Sequence, residues 1–367
     1  MRRPRTLLGI IAGAMTVATA LPASSAAEQQ VPRMSLREKV GQLVMFGVEG
    51  RSLTAEERDV IARQHLGAVI LFDHNYSNRT QLARLTDQIQ AAARRGSSLR
   101  AGALIAVDQE GGVVKRFDDM PPRYSAPEMG RIGRTSVAYD QGRATGGALR
   151  RAGVNIDLAP VGDLDLPPEH VMRSRSFGPG ENKVARLARA FGRGLQSRRV
   201  AAATKHFPGF GGASVNSDYG RAYIRRSKWQ LHHVDAVPFH AAVEGGIRMI
   251  MLSHGMYLND GGRIPASVSY YIATTRLRDE FAFTGVAISD ALEPVAWRFD
   301  GDVDRACKAT IKAGVDIALI TGNVYRARAC ARSVRTAVRE GKLPERRIDQ
   351  AVARVLALKE WLGLYEP

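Results

Sequence analysis

Three polar clusters in this chain carry the residue types that chemistry on a ligand needs, and each follows an apolar run. Lys205 and His206 come after Val200-Ala201-Ala202-Ala203-Thr204 and before Phe207-Pro208-Gly209-Phe210-Gly211-Gly212. Such a run reads as a buried parallel strand. Ending it in Lys-His ahead of a Pro/Gly turn delivers a cation and an imidazole to the C-terminal mouth of a sheet, where parallel α/β folds bind ligands. Turn geometry alone, with both side chains on the surface, is the plainer alternative. Asp108, in Asp108-Gln109-Glu110-Gly111-Gly112, sets a carboxylate beside two glycines that let backbone approach a ligand. Arg116 adds a planar fork suited to a hydroxyl or a carboxylate. Asp290, in Ile288-Ser289-Asp290-Ala291, stands where a strand-end nucleophile would, or where a helix N-cap would. For proton transfer, His206 is a candidate because an unperturbed imidazole titrates near neutrality. Asp218, in Asn216-Ser217-Asp218-Tyr219 of the same loop, is another if desolvation favours its protonated form, and a turn residue otherwise.

The elements that must position these residues repeat along the chain. Strand-like runs fall at Gln42–Phe46, Ala68–Phe72, Leu104–Val107, Val154–Leu158, Ala201–Thr204, Met249–Ser253, Val286–Ser289 and Ile317–Ile320. Between them lie helical patterns such as Gln81–Arg94, Ala138–Ala152, Val184–Ser197, His232–Glu244, Asp302–Ala313 and Arg326–Glu340, and Ile348–Leu362 follows as a last helix. Eight alternating units predict an α/β fold, a single-domain (β/α)8 TIM-type barrel over residues 34–364. Asp108 then follows the third strand, Lys205 and His206 end the fifth, His254 the sixth and Asp290 the seventh. All of them face one mouth.

Lys205-His206-Phe207-Pro208-Gly209 resembles the signature of glycoside hydrolase family 3, in its single-domain β-N-acetylhexosaminidase branch. Asp108–Gly112, Leu158-Ala159-Pro160-Val161, Arg175-Ser176-Phe177-Gly178 and Ser289-Asp290-Ala291-Leu292 resemble the family in the same order, between Leu36 and Leu364. The resemblance implies a retaining glycosidase without metal or cofactor, with Asp290 as the nucleophile that attacks the anomeric carbon. It assigns sugar contacts to Asp108, Arg116, Arg175, Lys205 and His206, and treats His206 as a ligand contact, not the proton donor. The match departs at one place. The branch continues Gly-His-Gly-Asp, with that His as general acid/base, where this chain has Gly209-Phe210-Gly211-Gly212. A phenyl ring cannot protonate a leaving group, and losing a general acid lowers rates by about 10²–10⁴. Two readings follow. One is an exported hydrolase of terminal amino-sugar β-glycosides, with Asp218 as a rearranged acid. The other is a sugar-binding pseudo-enzyme that keeps the pocket and lacks competent chemistry.

Met1–Ala27 reads as a signal peptide: Arg2, Arg3 and Arg5 lead, Leu7–Leu21 is apolar, and small residues run from Ala23 to Ala27. The apolar run is short for a membrane span, so cleavage and a secreted, bacterial extracytoplasmic location are expected, with no stable span afterwards. The formal charge of +17 then favours an anionic cell-wall polymer as a partner beside the carbohydrate substrate. Nucleic acid is not expected, because no aromatic-studded basic stripe or zinc-ligand set appears. Cys307 and Cys330 flank the last expected strand, and whether they pair is left open by the sequence.

Overall fold

The computed structural model describes residues 25–366. The expected signal peptide lies outside them except for Ser25–Ala27, which open a short helix, Ser25–Gln30. Among the described residues no helix is long and apolar enough to cross a membrane.

Eight strands form the core: β1 (Val44–Gly47), β2 (Ala68–Leu71), β3 (Leu104–Val107), β4 (Ile156–Asp157), β5 (Ala201–Phe207), β6 (Met249–Leu252), β7 (Val286–Ser289) and β8 (Ala318–Leu319). Every residue in them is buried, as expected of strands covered on both faces, which therefore read as apolar runs and not as alternation. All neighbours are parallel, in the order β7-β6-β5-β4-β3-β2-β1-β8, and a parallel bridge from Ile288 to Ile317 closes the barrel. Each strand is followed by a helix: α1 (Ala55–Gln64), α2 (Arg79–Gly96), α3 (Thr135–Arg151), α4 (Glu181–Gln196), α5 (Val237–Glu244), α6 (Tyr271–Glu280), α7 (Val303–Ala313) and α8 (Val324–Arg339). A final helix, α9 (Glu345–Leu362), packs under the barrel.

The helices show why an apolar stripe is enough to seat them. On α4, Val184, Leu187, Ala188, Phe191 and Leu195 recur at one-face spacing and are all buried. Each large side chain so covered contributes about 1.5–3 kcal/mol. Thr54, Asn78, Asp302 and Asn323 cap α1, α2, α7 and α8 by accepting backbone N–H bonds. Helices α3 and α4 approach so closely that a Cβ at Gly142 would overlap the carbonyl of Phe191.

All eight expected strands are present and none is reversed. β4 and β8 are only two residues long, although single bonds from Leu158 to Val107 and from Ile320 to Met45 prolong them. Pro160 donates no N–H, but its carbonyl accepts from Lys205, and pairing with β5 resumes in a parallel bridge between Val161 and Lys205. The helix expected over His232–Glu244 is broken instead. Leu231–Asp235 winds with wider π-type bonds, and α5 begins beyond it with Pro238 in its first turn, where a missing N–H is tolerated. Leu36–Gly41 and Ala126–Ile132 are helices without an expected counterpart. Each opens with a capping box, Ser35 with Glu38 and Ser125 with Glu128, a signal present in the sequence.

The pairing that the sequence left open is made. Cys307 on α7 and Cys330 on α8 form a disulfide, with Cα atoms 5.8 Å apart and a sequence separation of 23. Closing a loop of that size removes unfolded-state entropy worth about 3 kcal/mol. Reduction, or Cys330→Ala, should therefore lower the thermal midpoint by several degrees in calorimetry, and an unchanged midpoint would show that the bridge carries no stability.

Candidate active site

The C-terminal ends of the strands surround a cavity of about 360 Å³, within the size range of small-molecule sites. Asp108, Arg116, Arg175, Lys205, His206, Asp218 and Asp290 all line it. These seven candidates thus meet at one mouth, whereas His254, expected beside them, is not in its lining.

Lys205 and His206 are consecutive, yet both reach the cavity. The pairing of β5 with β6 shifts register between Lys205 and Phe207, and such an irregularity re-aims one side chain of a strand. Lys205 is 2% exposed, with Nζ 2.5 Å from Asp108 Oδ1 and 2.7 Å from Glu110 Oε1. Arg175 forks onto Glu110 through Nε at 2.9 Å and Nη2 at 2.6 Å. Burial works against all these charges, but mutual pairing outweighs it. Burial pushes the Glu110 carboxyl up, while Lys205 and Arg175 pull it down to about 2. Burial likewise pushes Lys205 down, while Asp108 and Glu110 hold its ammonium above the usual range. Glu110 thereby fixes two of the cations that face the cavity, Lys205 and Arg175. Arg116 reaches the cavity beside Phe72, its guanidinium carbon 5.8 Å from the ring centroid, and its buried Nε has no partner among the described residues.

Asp290 ends β7. Its backbone N–H donates to Leu252 at 3.0 Å, and its Oδ1 accepts the N–H of Ala291 at 2.8 Å. Burial raises its carboxyl, but His206, His254, the Ala291 N–H and Lys205 together bring it below the ordinary aspartate value. The side chain is therefore an ionised carboxylate at neutral pH. His254 does not line the cavity. Its Nδ1 is 2.7 Å from Ser267 Oγ, and its Nε2 meets the Ala291 carbonyl, so it braces the turn that carries Asp290.

The loop after β5 divides into a packed root and an overhanging arm. At the root, Phe210 is buried in an apolar cluster with Phe207 and Tyr257 and contributes only hydrocarbon to the cavity wall. A Cβ at Gly211 would collide with the Leu164 carbonyl, and one at Gly212 would sit 2.9 Å from Arg226 Cγ. Farther on, Asn216, Ser217 and Asp218 line the cavity, with Asp218 solvent-exposed. Its N–H donates to Asn216 Oδ1 at 3.1 Å, and no side chain among the described residues bonds its carboxylate. The arm is tied back by a bond from Ser214 to Tyr223 at 3.1 Å and by Arg221, whose guanidinium lies 4.1 Å from the Trp297 ring centroid. The oxygen-bearing part of the loop at the cavity is thus 216–218, not 210–212.

Sequence reasoning missed four carboxylates here. Asp163, fully buried, accepts from the backbone and ring of His206. Asp157, at the end of β4, is pushed well up by burial, against the Gln109 N–H that it accepts at 3.0 Å. Glu293 lines the cavity and accepts the N–H groups of Thr321 and Gly322 at 2.8 and 3.0 Å. Glu110, two residues after Asp108 in the same segment, is the hub of the ion pairs. Asp163 follows the fourth strand, so counting carboxylates after each strand would have found it, whereas Asp157 lies inside the strand-like run itself.

A family model described as the glycosyl hydrolase family 3 N-terminal domain matches residues 35–358. The chain belongs to glycosyl hydrolase family 3. It is 32% identical over 280 residues to a beta-hexosaminidase of Methylococcus capsulatus, covering 75% of this chain and 81% of the relative. A beta-hexosaminidase of Nitrosospira multiformis is 34% identical over 292 residues, with 76% and 80% covered. Among solved structures, the family 3 beta-N-acetylglucosaminidase of Paenibacillus sp. str. FPU-7 superposes with a TM-score of 0.85 at 31% identity, over 90% of this chain and 63% of that one. The present chain therefore spans less than two thirds of that protein. The beta-N-acetylhexosaminidase of Beutenbergia cavernae gives 0.80 at 27% identity, over 89% and 99%. As a family 3 member with these relatives the chain is a glycosidase, and its (β/α)8 barrel is the family's fold.

Proposed function

We propose that this family 3 glycosidase is an exported, retaining β-N-acetylhexosaminidase that removes terminal N-acetylated amino sugars from cell-wall or related glycans. The observation that carries the reading is Asp290, held ionised at a strand end in the same cavity as the donors Arg116, Arg175 and Lys205 and the ring of His206. Asp290 attacks the anomeric carbon, and Asp218 protonates the departing oxygen and then takes a proton from the water that releases the sugar. Asp108 accepts from sugar hydroxyls while Lys205 keeps it in place. The relatives' names support the choice of amino sugar. The leading Arg and apolar residues support export, as does a disulfide, which persists in oxidising compartments. The charge of +17 supports association with an anionic wall polymer, an attraction that salt should weaken.

One observation favours a second reading, the sugar-binding pseudo-enzyme: nothing among the described residues orients the Asp218 carboxylate. Incubation with 2-fluoro glycosyl fluorides, followed by peptide mass spectrometry, separates the two. The enzyme should accumulate one glycosyl adduct on the peptide containing Asp290. Absence of adduct from protein that still binds the sugar would decide for the pseudo-enzyme.

A further inference from the structure

We propose that Asp163 is a positioning residue for this reaction, one carboxylate that sets the tautomer of His206 and ties down the root of the loop that carries Asp218. The proposal rests on the reading of His206 as a sugar contact.

Asp163 follows β4 and is 0% exposed. Its Oδ2 lies 2.6 Å from His206 Nδ1. The same carboxylate accepts the backbone N–H of His206, 3.1 Å from each oxygen, and that of Phe210 at 2.7 Å. Its own carbonyl accepts the hydroxyl of Ser176, the neighbour of Arg175, at 2.7 Å. A single residue thus meets the strand end, the loop root and the segment that supplies the Arg175 fork. No Lys or Arg side chain pairs with it among the described residues, so the donors that satisfy this buried group are these N–H groups.

The chemistry follows from donor and acceptor types. A carboxylate only accepts, so Nδ1 of His206 must carry a proton, and Nε2 is the atom left for the cavity. Nε2 lies 3.5 Å from Arg175 Nη2, which only donates, so in the neutral ring Nε2 presents its lone pair there. A sugar hydroxyl at this point meets an acceptor. Asparagine at 163 would keep the volume and could still accept one backbone N–H. Its amide would donate to Nδ1, however, forcing the proton onto Nε2 and setting two donors against each other at Arg175. The amide nitrogen would take the place of Oδ2, so the Phe210 N–H would keep its bond to the remaining oxygen.

The test uses the full chain, with ¹⁵N-histidine NMR and kinetics on nitrophenyl N-acetylglucosaminide and on the N-acetylglucosamine disaccharide. Neutral wild-type His206 should be the Nδ1–H tautomer, and Asp163→Asn should convert it to Nε2–H. The substitution should raise KM about tenfold on both substrates through the lost sugar contact. Asp163→Ala, which removes the Phe210 acceptor as well, should also lower the disaccharide rate beyond the nitrophenyl rate, because the loop that carries Asp218 is loosened. Wild-type His206 in the Nε2–H form overturns the proposal without any variant. So does an Asp163→Asn protein that keeps the wild-type tautomer and KM, or an Asp163→Ala protein that keeps the wild-type rate ratio. A His206 resonance unmoved by N-acetylglucosamine would instead overturn the sugar-contact reading while leaving the tautomer result to stand on its own.

Discussion

Replacing Asp290 with Asn should reduce hydrolysis of a nitrophenyl N-acetylglucosaminide by roughly three powers of ten or more, about 4 kcal/mol of transition-state stabilisation. The substitution keeps shape and hydrogen-bonding size but removes the charge that attacks the anomeric carbon. Binding of the sugar itself should survive within a few-fold, because Arg116, Arg175, Lys205 and Asp108 do not depend on Asp290 for their placement. Glu110 holds Lys205 and Arg175 from the other side. The acid side of the rate profile carries a second expectation. The Asp290 carboxyl is depressed in the folded protein, so it stays ionised as the pH falls and loses its charge only below the ordinary aspartate range. Glu110 behaves alike: titrating at about 2 when folded against 4.5 as a free side chain, it stabilises the folded chain above pH 4.5 and loses that contribution as the pH falls towards 2. Loss of rate between pH 5 and 6 must then come from other groups. An Asp290→Asn protein with near wild-type turnover would remove this residue from the mechanism.

Most of the fold was legible because the core strands are short, apolar and separated by amphipathic helices, a pattern that local composition reports directly. Val286–Ser289 and Leu104–Val107 coincide with the expected strands to the residue. Helices that lack a long stripe did not show. Ala126–Ile132 spans two turns, and Tyr271–Glu280 winds too widely for a 3.6-residue period to describe it. At the site, the residues with chemistry at strand ends were legible, since parallel barrels put every strand end on one face. Their partners were not. Asp163 and His206 are 43 residues apart, and Lys205 and Asp108 are 97 apart. No local pattern ties such pairs together; only closure of the barrel does. The loop shows the same limit. Reading Gly209–Gly212 against the family pattern drew attention to Phe210, where the folded chain has a buried apolar wall. The exposed carboxylate that overhangs the cavity lies eight residues further on, at Asp218.

Asp218→Asn should separate two leaving groups. Nitrophenolate departs without a proton, whereas a sugar alkoxide must be protonated as the bond breaks. If Asp218 supplies that proton, the disaccharide rate should fall by about 10²–10⁴ and the nitrophenyl rate far less. The alkaline limb of the wild-type disaccharide profile should flatten in the variant, since that limb reports loss of the acid form. The geometry explains why the free protein shows the carboxylate exposed and unpaired. A leaving sugar seated against Asn216–Asp218 would displace the water now around it, and removing that water favours the protonated carboxyl. Arg221 stacked on Trp297 limits how far the arm can swing, so the carboxylate stays over the cavity instead of drifting from it. Equal losses on both substrates would mean that Asp218 holds the sugar and does not move a proton. Wild-type protein that cleaves the nitrophenyl glycoside and leaves the disaccharide intact would mean that the loop supplies no acid at all.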